Sequence, residues 1–210
     1  RGGSVTSGGL DSVLVGTTGG GQVDLSSLQQ IDGYVTFATN APTLSLASLV
    51  HAGSVSYELP DNAMLLLPEL LTQTGGGFAI TPGTTVDTPK LQGLTNASVS
   101  FGGTGTLNAP NLTDFGASTL TLSDAGQVVT TGGLAQIDNA RFLLSNGTVF
   151  DQIVDTDYVI TGSGIANTTV LSATDAGTRL EAGSLTKIDS YVDHWGVNTR
   201  TISATNGGFI

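Results

Sequence analysis

Apolar residues recur along this chain at a nearly constant interval. Six leucines mark it: Leu28, Leu49, Leu70, Leu91 and Leu112 lie 21 residues apart, and Leu134 follows after 22. An aliphatic residue stands five positions before each leucine, at Val23, Leu44, Leu65, Val86, Leu107 and Val129. A fixed period of this length predicts a repeat protein in which each coil buries its apolar side against the next coil.

A second apolar pattern follows each leucine and alternates with period two. The alternating pairs are Val35 and Phe37, Val55 and Tyr57, Phe78 and Ile80, Val99 and Phe101, Leu120 and Leu122, and Phe142 and Leu144. Mostly small or polar residues stand between the members of a pair, which is typical of a strand with one buried face. We therefore expect equivalent strands of successive coils to stack about 4.8 Å apart.

Turn-forming residues separate these apolar segments. Proline precedes three of the leucines by two positions, at Pro68, Pro89 and Pro110. Because proline lacks an N–H and fixes φ, it predicts a corner there. A second corner is predicted where Asp, Asn, Gly or Ser follows an apolar residue, as in Ile31-Asp32-Gly33, Ala52-Gly53-Ser54, Ile137-Asp138-Asn139 and Ile188-Asp189-Ser190.

Together the patterns predict an all-β fold, a right-handed parallel β-helix (β-solenoid) of 21-residue coils, about nine in number. We expect a single array over residues 1–210, with an irregular coil near 150–180. The regular spacing is lost after Leu134 and returns at Leu185, 51 residues later. Val154 is the expected equivalent in between, and the segment 147–179 is therefore assigned as an irregular coil or insertion.

The pattern is in phase near both ends of the chain. Leu10 and Phe209 fall on the column of Ile31 and Ile188, and Val13 and Val15 fall on the second strand. This continuity predicts that the array is part of a longer repeat protein.

Charge and composition exclude several classes of function. The chain carries 17 acidic against 6 basic residues, a net charge of −11, which disfavours nucleic acids and anionic membranes as partners. It has no cysteine, so neither a disulfide nor a thiolate nucleophile is available. Its apolar runs are far shorter than the roughly 20 residues of a membrane span, so no membrane insertion is expected.

The acidic residues Asp151, Asp155 and Asp157 cluster in the irregular coil. Paired carboxylates can act as acid and base on a polysaccharide, and Asp oxygens can bind calcium. Alternatively, they are loop residues that keep the chain in solution. Because no basic residue is grouped with them, we assign no catalytic residue and no required cofactor, and Ca²⁺ is the one ion left open.

A local aromatic group near the end of the chain is the second candidate contact. Tyr191, His194 and Trp195 could stack against a sugar, or they could cover the core or an edge of the solenoid.

The segments Leu65-Leu66-Leu67-Pro68-Glu69-Leu70 and Leu107-Asn108-Ala109-Pro110-Asn111-Leu112 resemble repeats of very large bacterial surface and secreted β-solenoid proteins of the adhesin type. The resemblance implies an extracellular or cell-surface location and a structural or adhesive role, as a rigid spacer or filament. Partners would be further copies, joined end to end or side by side, or extracellular polymers. A β-helix that binds or cleaves polysaccharide is the alternative.

Overall fold

The structure is a computed structural model that describes residues 3–6, 12–17, 23–161, 168–191 and 200–210. This part of the chain forms 21 β-strands and no helix. The strands are β1 (Gly3–Thr6), β2 (Ser12–Thr17), β3 (Leu28–Thr39), β4 (Thr43–Ser45), β5 (His51–Glu58), β6 (Met64–Leu66), β7 (Thr72–Thr74), β8 (Gly76–Ile80), β9 (Thr85–Asp87), β10 (Gly93–Thr95), β11 (Ser98–Phe101), β12 (Thr106–Asn108), β13 (Thr119–Leu122), β14 (Gln127–Val129), β15 (Arg141–Leu144), β16 (Val149–Phe150), β17 (Asp157–Thr161), β18 (Thr168–Thr174), β19 (Arg179–Leu180), β20 (Lys187–Tyr191) and β21 (Arg200–Thr205).

The strands line three faces of a solenoid. Face 1 is a five-stranded sheet of β4, β6, β9, β12 and β14. Face 2 contains the first half of β5 with β7 and β10. Face 3 contains the second halves of β3 and β5, followed by β8, β11, β13, β15, β18 and β21. The long strands β3 and β5 pass around the corner and join faces 2 and 3.

The pairing register confirms the predicted parallel β-solenoid. On face 1, Thr43 pairs with Met64, Met64 with Thr85, Thr85 with Thr106 and Thr106 with Gln127, each step being 21 residues. The regular stack has about six turns instead of the expected nine. The difference arises because the last coils are longer than 21 residues.

The predicted leucine column is buried throughout, and so are all twelve residues of the alternating pairs. Two members of the column five positions earlier are exposed, contrary to expectation. Val23 precedes the first strand of the regular stack. Val129 is exposed because Leu107 pairs with Val128, which shifts the buried position by one residue.

The predicted proline corner is a turn in each regular coil. The amide of the leucine donates to the carbonyl three residues earlier: Leu49 to Leu46 (3.2 Å), Leu70 to Leu67 (3.2 Å), Leu91 to Thr88 (3.1 Å) and Leu112 to Ala109 (3.0 Å). Proline at the second position of such a turn already has the required φ. Leu185 donates to Ala182 in the same way (3.0 Å), so the repeat does return there.

The second predicted corner holds residues with positive φ, namely Gly75, Asn96, Ala117 and Asn139. Such backbone conformations favour Gly and Asn. The prediction of a turn at Ile188-Asp189-Ser190 is wrong, because this segment lies within β20. Ala52-Gly53-Ser54 likewise lies within β5, where the strand continues across the corner.

The two last coils have a period of about 30 residues. Val149 pairs with Arg179 and Asp157 pairs with Lys187, each 30 residues apart, and Arg179 bridges to Phe209 after a further 30. Phe209 therefore lies beside Arg179, not on the column of Ile188 as its spacing of 21 residues predicted.

The position equivalent to Leu134 is Ile153, which forms a parallel bridge with it and is buried. The expected equivalent, Val154, is exposed. Near the start of the chain, Val13 and Val15 pair with Val35 and Phe37, as predicted.

Leu10 lies outside the described residues. Val5 occupies the register position beside Ile31 that was expected for Leu10.

Candidate functional site

Asp155 serves the backbone of the irregular coil. Its Oδ2 accepts a hydrogen bond from the Ile137 amide (3.0 Å) and its Oδ1 accepts one from the Asp157 amide (3.2 Å). Its own amide donates to the Leu134 carbonyl (3.1 Å). Because both carboxylate oxygens already have partners, the half-buried Asp155 is a structural acceptor in this geometry.

Asp151 and Asp157 are exposed and are not drawn into a shared site with Asp155 by their hydrogen bonds. Asp151 accepts from the side-chain amide of its neighbour Gln152. Asp157 begins β17 and pairs in register with Lys187 on β20. A hydrogen bond to Asp189, together with the charges of Asp189 and Asp157, raises the pKa of Lys187.

Two further polar side chains support the same region. The Asp138 Oδ1 accepts from the Val159 amide (2.9 Å), and the Asn139 Oδ1 accepts from the Thr161 amide (2.6 Å). We call Asp138, Asn139 and Asp155 the acceptor group. The sequence indicated Asp138 and Asn139 only as turn residues, and nothing in the spacing showed that their side chains would replace backbone carbonyls.

The aromatic candidates cannot be combined into a site from the described residues. The backbone of Tyr191 ends β20 and pairs with Thr161. His194 and Trp195 lie outside the described residues. Among the residues that the structure describes, no group of three or more His, Asp or Glu side chains is arranged to hold a metal ion.

Face 3 presents small, uncharged side chains to the outside. One outward column runs in register through Thr36, Ser56, Gly77, Ser98 and Thr119. The next runs through Ala79, Ser100, Thr121, Leu143, Ser172 and Ser203. The outer face of the long sheet is therefore largely covered by hydroxyls.

Arg141 interrupts this surface. It pairs in register with Thr119 and so places a cation at the end of the first column. Beside it lies an open groove of about 580 Å³ between β15 and β18, lined by Thr121, Arg141, Leu143, Thr169, Ser172 and Thr174 among others. The sequence analysis missed Arg141, although a single basic residue at an outward position of a Ser/Thr column was a visible signal.

A second groove, of about 480 Å³, lies at the last coil and is mainly apolar. Ile188, Ile202 and Phe209 line it and remain 49%, 45% and 60% exposed. Exposed residues of this size beside strand edges are a surface on which another strand or coil can pack.

Comparison with known protein families, curated proteins and solved structures finds no match to this chain. Its described residues contain no helix long and apolar enough to cross a membrane.

Proposed function

We propose that this chain is a structural and adhesive module, a rigid spacer of an extracellular or cell-surface protein whose faces and coil ends contact other molecules. One observation carries the proposal. A single register column crosses face 3 from the first coil to the last, through Val15, Phe37, Tyr57, Phe78, Val99, Leu120, Phe142, Leu171 and Ile202.

Such a column makes the stack stiff along its axis. Phe37, Tyr57 and Phe78 stack with ring centroids 5.7 and 5.3 Å apart. Each buried side chain of this kind contributes about 1.5 to 3 kcal/mol relative to an exposed one. Because every coil packs against its neighbours, bending the solenoid would separate these contacts in several coils together.

The surface chemistry supports the same proposal. Face 3 carries a flat array of hydroxyls, whereas the carboxylate that sequence analysis placed in a candidate acid–base group, Asp155, is engaged by two backbone amides. The proposal therefore includes no catalytic step. The location outside the cell rests on the resemblance of the repeats to bacterial surface β-solenoids.

Self-association is proposed to occur end to end. Within the described chain, β21 pairs with β18 alone, so its other edge presents free backbone donors and acceptors. The exposed Ile188, Ile202 and Phe209 adjoin that edge. Strand addition with apolar burial is the common way in which such edges associate.

Light scattering over a range of concentrations, together with electron microscopy, tests this proposal. Wild-type chain is expected to form linear assemblies that lengthen with concentration. Ile202→Asp should remain monomeric, because a charge would be buried at the joint, whereas Gln127→Asp on exposed face 1 should assemble like wild type. A wild-type chain that stays monomeric at all concentrations, or equal assembly of the Ile202→Asp variant, would contradict end-to-end association.

A further inference from the structure

The groove beside Arg141 combines three features that recognise one kind of ligand. The first is the state of its cation. Lys90, Arg179 and Lys187 each form an ion pair with a carboxylate, at 2.7, 2.7 and 2.5 Å. Arg141 forms no ion pair with any carboxylate of the described chain, which is notable in a protein of net charge −11.

The second feature is the way in which Arg141 is held. Its Nε donates to the Thr169 carbonyl across the groove (3.0 Å), which fixes the guanidinium between β15 and β18. No described residue accepts a hydrogen bond from its two Nη groups. A half-buried guanidinium anchored through Nε and open at the Nη groups is arranged to bind a planar anion by two parallel hydrogen bonds.

The third feature is the lining around the guanidinium. Thr121, Ser172 and Thr174 supply hydroxyls that can both donate and accept. The half-buried Leu143 supplies an apolar patch in the next outward position of the same strand. The volume of about 580 Å³ lies within the range of small-ligand sites.

We propose that this groove binds the carboxylate of an acidic saccharide, a uronic-acid residue within an extracellular polymer. The Nη groups take the carboxylate, the hydroxyls take the sugar hydroxyls, and Leu143 packs against the C–H side of the ring. One guanidinium matches one carboxylate at a time, and repulsion from the rest of the acidic chain disfavours polyanions of higher charge density. The inference rests on the adhesive part of the proposed function and names its ligand class.

Calorimetric titration with a uronic-acid trisaccharide tests the proposal. The matched ligand is the same trisaccharide with its carboxylates esterified, and inorganic sulfate is the competing simple anion. Wild type is expected to bind the free acid at least about tenfold more tightly than the ester, because the charged hydrogen bonds are lost in the ester. Equal binding of acid and ester, or equally tight binding of sulfate, would overturn the assignment.

Variants locate the site. Arg141→Gln should weaken binding at least about tenfold, and Arg141→Lys should not restore it, because an ammonium lacks the planar fork. Lys90→Gln, which removes the same charge at a distant corner, should leave binding unchanged. An unchanged affinity in Arg141→Gln, or an equal loss in Lys90→Gln, would overturn the proposal.

Two controls keep the result interpretable. If Arg141→Gln alters the fold, as monitored by circular dichroism, Thr121→Val removes a hydroxyl of the groove without touching the guanidinium and should still weaken binding several-fold. Light scattering of the same variants separates the two claims: lost saccharide binding with intact assembly contradicts this inference alone, and lost assembly in wild type contradicts the proposed self-association alone.

Discussion

The regular coils and the two long coils satisfy their backbone in different ways. In the regular part, a corner amide finds the carbonyl of the next coil, as Gly75 finds Thr95 (2.8 Å) and Phe115 finds Gln136 (2.8 Å). Ile137, one coil further on, donates to the side chain of Asp155 instead (3.0 Å). The comparison teaches that a constant period lets the backbone pair with itself, whereas a change of period requires side-chain acceptors.

The two regions also differ in how completely the core is closed. The regular coils bury the leucine column fully, but the last coils leave Ile188, Ile202 and Phe209 exposed. We therefore expect the regular stack to carry most of the stability and the long coils to carry the surfaces available for contact.

The largest effect is expected from breaking the regular stack. Leu91→Asp places a carboxylate at a fully buried position of the leucine column. Loss of the side chain and burial of a charge should together cost more than about 4 kcal/mol and unfold neighbouring coils. Urea unfolding followed by circular dichroism measures this. Met64→Asp, at an outward position, is the control, and a similar loss in both variants would contradict the assigned orientation of the coil.

Removing the acceptor in the long coil should have the next largest effect. Asp155→Ala leaves the amides of Ile137 and Asp157 without their acceptors, which should cost about 1 to 3 kcal/mol. Asp155→Asn keeps one acceptor oxygen and should lose less. Asp151→Ala, at an exposed position, should change the free energy of unfolding by less than about 0.5 kcal/mol. Equal losses at Asp151 and Asp155 would refute the backbone role of Asp155.

Two buried tyrosines sharpen the comparison further. The hydroxyl of Tyr57, in the regular stack, has no hydrogen-bond partner, whereas that of Tyr158, in the long coil, donates to the Ala140 carbonyl. Tyr57→Phe should therefore stabilise the protein by about 1 kcal/mol, and Tyr158→Phe should destabilise it by a similar amount. Thermal unfolding of the two variants checks the opposite signs; shifts of the same sign would count against the assigned hydroxyl environments.

Burial also raises the pKa of Tyr57 and Tyr158 above the usual value. A raised pKa means that the folded state keeps a proton that the unfolded state loses. Stability from these groups is therefore present below the unfolded pKa and falls as the pH rises above about 10. Measured unfolding free energies should show this decline in wild type and a smaller one in Tyr57→Phe. An equal decline in both would contradict the burial of Tyr57.

The smallest effect is expected at the surface of a regular corner. Lys90 pairs with Glu69 of the preceding coil (2.7 Å), but both side chains are largely exposed. Lys90→Ala should cost no more than about 0.5 kcal/mol, and the cost should shrink with added salt. A loss above about 2 kcal/mol would mean that surface ladders, and not the core, hold the coils together.

Much of the regular region could be predicted because one residue type marks one structural position. Leu70, Leu91 and Leu112 each close a turn and fill the same buried site, so the period is visible in the sequence. The long coils could not be predicted in the same way. The interval of 51 residues between Leu134 and Leu185 fixes only the total length of two coils, not how that length is divided between them.

The site was less predictable than the fold for a physical reason. An Asp in a loop gives no indication in the sequence of whether its oxygens face solvent or a backbone amide, and Asp155 faces two amides. Arg141 became a candidate only when pairing of β15 with β18 placed Thr169 and Ser172 around it.

Native-state hydrogen exchange tests most directly the claim that the regular coils form one continuous, cooperative core. We predict that the amides of β8, β11, β13 and β15 on face 3 exchange together, with the free energy of global unfolding. Amides of β20 and β21 in the long coils should exchange faster. Independent exchange of neighbouring regular coils, or slower exchange in β20 and β21 than in β11, would contradict a single rigid spacer.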